Sequence, residues 1–359
     1  MSYAKGMKIL GSSEAQRLEV LSKLKDPLQT LDAHIDFELF RPTLAKIFPA
    51  LPARAPGRRR FDPVIMFKIL ILQRLYNLSD EQTEFQLNDR RSFLRFAGLG
   101  VRDAVPDHTT IWTFRETLTK HHTVEELFDQ LTLQLTRQGV ITQKGVIVDA
   151  SFTEVPRQRN NHAENDQIKA GKTPQEWEGQ SHMLSQKDVD ARWTRQKSIT
   201  YFGYKNHVAV DRDSKLILNY KVTPANTYDG TVFEELLPPL PEGTPVYGDT
   251  AYPSRARYAW LEQHGLVDKL QVKATAKRPL SVLQKLWNQS CAKVRCRVEH
   301  VFGFMENSMH GPELEYIGLK RISTGIGLNN LVYNLVRWVQ LQCKNPPQFC
   351  LFEFRNQPV

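Results

Sequence analysis

Apolar and polar positions along the chain fall into two textures. The first, up to about residue 120, has helical spacing interrupted by turn residues. Short apolar stretches around Phe37–Phe48 suit a helix or two. Residues 62–78 predict a helix with Pro63 in its first turn, and the body Val64–Leu72, broken only by Lys68, is apolar nearly all round, as in a core helix. Ser79 and Gln82 form a capping-box pattern that opens a second helix. Arg90 to Leu99 predicts a third, ending at Gly98 or Gly100, and Asp107 is placed to cap a fourth over 109–118. Short helices with tight turns, carrying Arg90, Arg91, Arg95 and Arg115, suit a helix-turn-helix reader of DNA or a plain helical bundle.

The second texture begins at residue 145. Gly145-Val-Ile-Val-Asp149 predicts a buried strand ending in a carboxylate. Residues 154–196 are charged and aperiodic and predict a mobile loop, with a short helix near Asp188–Arg195. Tyr204–Asp211 alternates as a strand does, 212–215 turns, and Leu216–Val222 returns as a hairpin. Thr244–Asp249 predicts another strand ending in Asp, Leu270–Lys273 a further short one, and helices follow at about 281–307 and 320–342. An antiparallel hairpin beside parallel strands makes this a mixed α/β region.

Charge narrows the partners. The chain has 359 residues and a formal net charge of +9, which favours a polyanion, nucleic acid ahead of membrane. Within the first texture lies Arg54-Ala-Pro-Gly-Arg58-Arg59-Arg60, too rich in helix breakers for a helix and suited either to a phosphate-tracking arm or to a solvated linker. No apolar run is long enough to span a bilayer, and Met1–Gly11 lacks the apolar region of a signal peptide, so the expectation is a cytoplasmic protein without a membrane partner. Cys291, Cys296, Cys343 and Cys350 have neither zinc-site spacing nor a histidine pair beside them, and read as reduced thiols, mostly buried.

The candidate chemistry lies in carboxylates. Asp149 and Asp249 each end a strand and each is followed by a small residue; in α/β sheets ligand sites gather at such strand ends. Two acidic groups there suit Mg²⁺, which takes a few carboxylates with water and phosphate oxygens. A third comes from a helix: Trp287, Cys291, Val294, Val298, Val301 and Met305 step by four and three as a core stripe, and Arg295 and Glu299 share a face beside it. Taken singly, each Asp is an ordinary turn residue and Arg295–Glu299 an ordinary helix ion pair. Their combination on these three elements, in this order, points to a site.

These residues resemble a known family. Val148-Asp149-Ala-Ser, Gly203-Tyr-Lys-Asn-His-Val, Val222-Thr-Pro-Ala-Asn-Thr-Tyr-Asp229, Gly248-Asp249-Thr-Ala-Tyr and Arg295-Cys-Arg-Val-Glu299-His-Val-Phe-Gly resemble a bacterial DDE transposase of the insertion-sequence-five type, with the carboxylates 100 and 50 residues apart. Phe61–Leu118, with Pro106-Asp-His-Thr-Thr, resembles that family's helical DNA-binding region, and the likeness covers roughly residues 35–343. It implies an RNase H-like mixed sheet flanked by helices over 140–345, preceded by a helical segment at 1–53 and an all-helical DNA-binding domain at 54–125, with a tail at 346–359. It implies metal ligation and catalysis by Asp149, Asp249 and Glu299, with two Mg²⁺ ions (or Mn²⁺ in their place) and Arg295 on a phosphate near the cut. Arg58, Arg59, Arg60, Arg90, Arg91 and Arg115 are the expected DNA contacts.

The implied activity is binding of terminal inverted repeats, cleavage and transfer of the freed strand to target DNA by a homodimer or larger assembly formed on double-stranded DNA, at the nucleoid when bound. A nuclease lacking strand transfer and a binding-only descendant are the alternatives; the long helical region argues against the first, retention of all three carboxylates against the second. Many relatives carry Tyr-x2-Arg-x3-Glu-x6-Lys around the Glu. Here the Tyr place holds Ala292 and the Lys place Glu306, with Lys293, Arg297 and Lys320 as candidate substitutes.

Overall fold

The computed structural model describes residues 14–49, 60–196, 198–275, 278–309, 311 and 314–343. The N-terminal half is helical: α1 (Glu14–Lys23), α2 (Pro27–His34), α3 (Arg41–Ile47), α4 (Pro63–Leu75), α5 (Asp80–Asp89), α6 (Arg91–Ala97), α7 (His108–Lys120) and α8 (Thr123–Arg137). Local sequence sets their ends. The Asp62 carboxylate accepts from the Val64 N–H with Pro63 in the first turn, Ser79 and Gln82 form both halves of a capping box, and Asp107 accepts from the Thr110 N–H. α6 stops at Gly98, whose φ of 82° a side chain would resist. α8 has no forerunner in the motif reading, yet its buried stripe of Val124, Leu127, Phe128, Leu131 and Leu135 is the helical period itself.

The second half is a mixed sheet: β1 (Val146–Glu154), α9 (His162–Lys169), α10 (Ser181–Leu184), β2 (Arg192–Gln196), β3 (Ile199–Asp211), β4 (Ile217–Pro224), α11 (Phe233–Leu236), β5 (Pro245–Gly248), α12 (Arg255–Gln263), β6 (Val267–Leu270), α13 (Val282–Asn307) and α14 (Leu319–Gln342). Strand order is β2-β3-β1-β5-β6, with β4 also pairing β3. β1 pairs antiparallel with β3 and parallel with β5, and β5 pairs parallel with β6. β1 lies between β3 and β5 and is covered on both faces, which is why Val146, Ile147 and Val148 are all apolar and buried.

Three expectations are corrected. Strand β1 does not end at Asp149 but runs on to Glu154, held by its antiparallel pairing to β3, so the carboxylate sits in mid-strand just past the last residue paired with β5. The stretch at 188–195 is no helix: Asp188 accepts from the Asp190 and Ala191 N–H groups and from the Tyr204 hydroxyl, turning the chain into strand β2. The short strand expected at 270–273 runs instead over Val267–Leu270, set by its parallel pairing to β5. The 154–196 stretch also has internal order, since the buried Trp177 donates its indole N–H to Glu164, itself half of a capping box with Asn161.

α14 ties the halves together. It packs against α2, α4, α7 and α8 on one side and β4 on the other, and one apolar cluster runs from Leu28 through the sheet to Val339. Gly327 lets the helix approach, because a Cβ there would lie 2.3 Å from the Tyr220 hydroxyl. Its buried amides are all used: Asn330 bonds Asn206, Asn334 brackets the Ile217 backbone, and Asn329 accepts from the buried Arg74.

Candidate active site

β1 and β5 are parallel neighbours, with Val146 opposite Val246, so Asp149 on β1 and Asp249 just beyond β5 fall at the same level of the sheet. α13 crosses this face. Arg295 donates to Asp149 at 2.7 Å and to Glu299, one turn on, at 3.3 Å. Asp149 also accepts from the Ala150 N–H, and Asp249 from the Ala251 N–H at 2.8 Å.

Electrostatics separate the carboxylates. The Asp149 carboxyl is pushed up to about 6, chiefly by burial and further by the charge of Asp249; Arg295 and the Ala150 N–H pull the other way without cancelling it. Glu299 is largely exposed, 63% by side chain, against 18% for Asp149. Arg295 stands between them, and its Nε is buried without a hydrogen-bond partner among the described residues. Among those residues no group of three or more His, Cys, Asp or Glu is gathered closely enough to hold a metal ion. The structure thus brings Asp149, Asp249 and Arg295 together, and leaves Glu299 joined to them through the guanidinium.

The expected DNA contacts fare differently. Arg58 and Arg59 lie outside the described residues. Arg60 is exposed, Arg90 lies over the Phe93 ring and Arg91 lines a cavity beside α1. Arg115 is a correction. It is buried, donates to Asp80 at 2.6 and 2.8 Å and to Gln73 at 3.0 Å, and lies over the Tyr316 ring, so its charge is spent inside the protein. The periodicity of α7 puts it one turn from Ile111 on the inward face. Arg297, one candidate for the missing signature lysine, turns to the β3–β4 turn. Of the described cysteines, Cys291 is buried and Cys296 exposed, and none is in a disulfide.

Lys205, His207 and Asp229, weaker candidates within the same motifs, also gather near the site, and Tyr252 joins them. Lys205 bonds Asp229 at 2.7 Å, and His207, fully buried, lies against Thr223, with burial holding its imidazole down at about 4. Tyr252 is buried with no partner for its hydroxyl among the described residues, and it senses the charges of Asp149, Asp229 and Asp249. The signal for it was the Asp249-Thr-Ala-Tyr252 motif itself.

A sheet of this topology, with two aspartates at the level of adjacent strands and an Arg–Glu helix across them, defines the RNase H-like class of nucleic-acid phosphoryl-transfer enzymes. The matching family models agree. Residues 16–117 match the family "Transposase domain (DUF772)" and residues 142–335 match "Transposase DDE domain". The transposase for insertion sequence element IS1106 of Neisseria meningitidis serogroup B is 30% identical over 230 residues, covering 62% of this chain and 76% of that protein. A cryo-EM structure of the piggyBac transposase synaptic complex with hairpin DNA has a TM-score of 0.46 at 12% identity, over 88% of this chain and 75% of that one. The chain belongs to the DDE transposases, in their bacterial insertion-sequence branch. It is thus a DNA-transposing enzyme; the narrower insertion-sequence-five type rests on motif likeness alone.

Proposed function

We propose that this transposase binds the terminal inverted repeats of an insertion sequence, cuts the DNA there and joins the freed 3′ end to target DNA in a reaction that requires divalent metal. The observation that carries the reading is that Asp149 of β1 and Asp249, just beyond β5, lie at one level of the sheet, with Arg295 and Glu299 of α13 across Asp149. The donor set fits the metal: all candidate ligands are hard carboxylate oxygens, and the largely buried Asp149, raised chiefly by desolvation and further by Asp249, gains from a cation beside it. Asp149 and Asp249 would hold the metal, with Glu299 completing the set. When bound, Mg²⁺ would supply Lewis-acid stabilisation of the attacking and leaving oxygens of an in-line displacement.

The chain's own residues do the rest. Arg295 exchanges Asp149 for a phosphate oxygen near the cut, since a guanidinium grips two oxygens at once. That exchange frees both Asp149 and Glu299. Water displaces the 3′ oxygen of the element end, and the resulting 3′-hydroxyl displaces a 3′ oxygen of target DNA; positioning and charge stabilisation are the main demands. Exposed Arg60, with Arg90 and Arg91 of the helical half, supplies DNA contacts, and two chains pair the two element ends. The test is incubation with Mg²⁺ and DNA carrying candidate terminal repeats. Cut and joined products support the reading, cut products alone reduce it to a nuclease, and Asp149→Asn should abolish both while DNA binding persists.

A further inference from the structure

Away from the carboxylates, the turn between β3 and β4 gathers positive charge. Arg297 of α13 donates to the Arg212 carbonyl at 2.8 Å and approaches Asp213 at 3.3 Å. Arg337 of α14 donates to the Ser214 carbonyl at 2.8 Å, and Tyr333 donates to the Lys215 carbonyl at 2.9 Å. Four cations, Arg212, Lys215, Arg297 and Arg337, therefore surround one turn.

Two carboxylates answer them. Asp213 is shared by Arg212 and Arg297. Asp211 is buried and already accepts from Thr142, the Gln143 N–H and Ser214. Among the described residues, Lys215 Nζ and the Nη2 atoms of Arg297 and Arg337 make no hydrogen bond. Burial, then the charges of Arg337 and Arg297, push the Lys215 ammonium down from its ordinary range. Tying a turn's carbonyls needs donors, which neutral amides supply as well. It does not need charges that repel one another. A surplus of partly buried, under-bonded cations suits an external anion.

The cluster is separate from the catalytic pocket. Val146 pairs with Asp211 whereas Asp149 pairs with Val208, which sets the turn about 10 Å along the sheet from the level of Asp149 at about 3.3 Å per residue. Arg297 is two residues from Arg295 on α13, so the two leave opposite flanks of the helix at about 100° per residue.

We infer that the β3–β4 turn, with Arg297 and Arg337, is a second DNA site that binds the phosphate backbone of a duplex without regard to sequence. This rests on the reading of the chain as an enzyme that holds DNA. Of the neighbours that could read a base edge, Tyr333 is buried with its hydroxyl on the Lys215 carbonyl, and Gln340 accepts from Arg337, so the four cations are left to contact phosphates, which carry no sequence information.

The experiment uses the full-length protein and a fluorescent duplex of random sequence, with affinity measured across a salt series. Lys215→Gln should weaken binding and lower the slope of log K against log salt by about 0.9, as expected when one fewer phosphate is neutralised. Lys215→Glu should weaken it further, and Asp213→Asn should tighten it. Circular dichroism establishes that each variant is folded. Wild-type affinity and slope in all three folded variants would overturn the site while leaving the transposase reading intact. Weakening confined to an element-end duplex would overturn its indifference to sequence. Failure of the wild-type protein to bind any duplex would instead sink the DNA-holding reading together with this one.

Discussion

Replacing Asp149 by Asn should stabilise the DNA-free, metal-free protein progressively as pH rises. Burial and Asp249 raise the Asp149 carboxyl from the ordinary 3.8 to about 6. A carboxyl raised in the folded state favours folding fully below its unfolded pKa, and that contribution is lost as pH rises through the folded pKa. The window is therefore about pH 4 to 6. Roughly two pKa units at about 1.4 kcal/mol each give a cost near 3 kcal/mol in the wild-type chain above the window. The amide of the Asp149→Asn variant has no such proton to lose. Its weaker bond to Arg295 is a pH-independent offset, and groups not coupled to Asp149 titrate alike in both proteins and cancel when the two are compared at the same pH. With an unfolding entropy of about 2.1 cal/mol/K per residue, about 3 kcal/mol corresponds to a relative Tm gain of roughly 4 °C. The assay is thermal unfolding in EDTA at half-unit steps from pH 4 to 8. The difference in Tm, variant minus wild type, should climb between pH 4 and 6 and then level off. A difference that is flat, or that shrinks as pH rises, would refute the buried, charge-crowded account of this carboxylate.

Other expectations follow from the same geometry. Arg295→Gln should raise the affinity of the DNA-free protein for Mn²⁺, read by calorimetry, because it removes the cation that bridges Asp149 and Glu299; equal or weaker binding would show that the guanidinium does not compete for the site. Arg115→Ala should cost about 3–5 kcal/mol in urea unfolding, since it leaves Asp80 without its partner in a largely buried pair, while the folded fraction keeps wild-type DNA affinity. A drop in DNA affinity with stability unchanged would restore Arg115 as a DNA-binding residue. Mixing Asp249→Asn chains with active chains should reduce paired-end joining as the square of the active fraction if two chains act together. A linear decline would mean that one chain suffices.

Much of this was legible before folding because it is periodic or local. Caps at Asp62, Ser79, Asp107 and Ser281 fix helix starts within a turn, and the apolar run before Asp149 marks a buried central strand. α8 was equally legible from Val124, Leu127, Phe128, Leu131 and Leu135, but it carries no motif to draw the eye. Errors fell where a distant partner decides the conformation. Asp188 reads as helical next to Val189 and Ala191, yet its carboxylate is claimed by Tyr204, sixteen residues on, and by the Gly318 N–H.

The identity and order of the catalytic candidates were legible in short stretches, because an apolar run closing in a carboxylate and an i,i+4 helix pair are local patterns, although β1 runs on past Asp149. The sequence also determined the family, through motifs at fixed separations. Tertiary structure alone decided the charges. Arg115 and Arg297 read alike as basic residues on helices, but one is consumed by Asp80 in the interior and the other is sent to a turn 85 residues back in the chain. Tertiary structure also set Arg295 between Asp149 and Glu299 and buried the Tyr252 hydroxyl within the field of Asp149, Asp229 and Asp249. An ion pair or a desolvated carboxyl depends on which groups from remote segments share a space and how much water remains there, and neither is written in the spacing of residues along one chain.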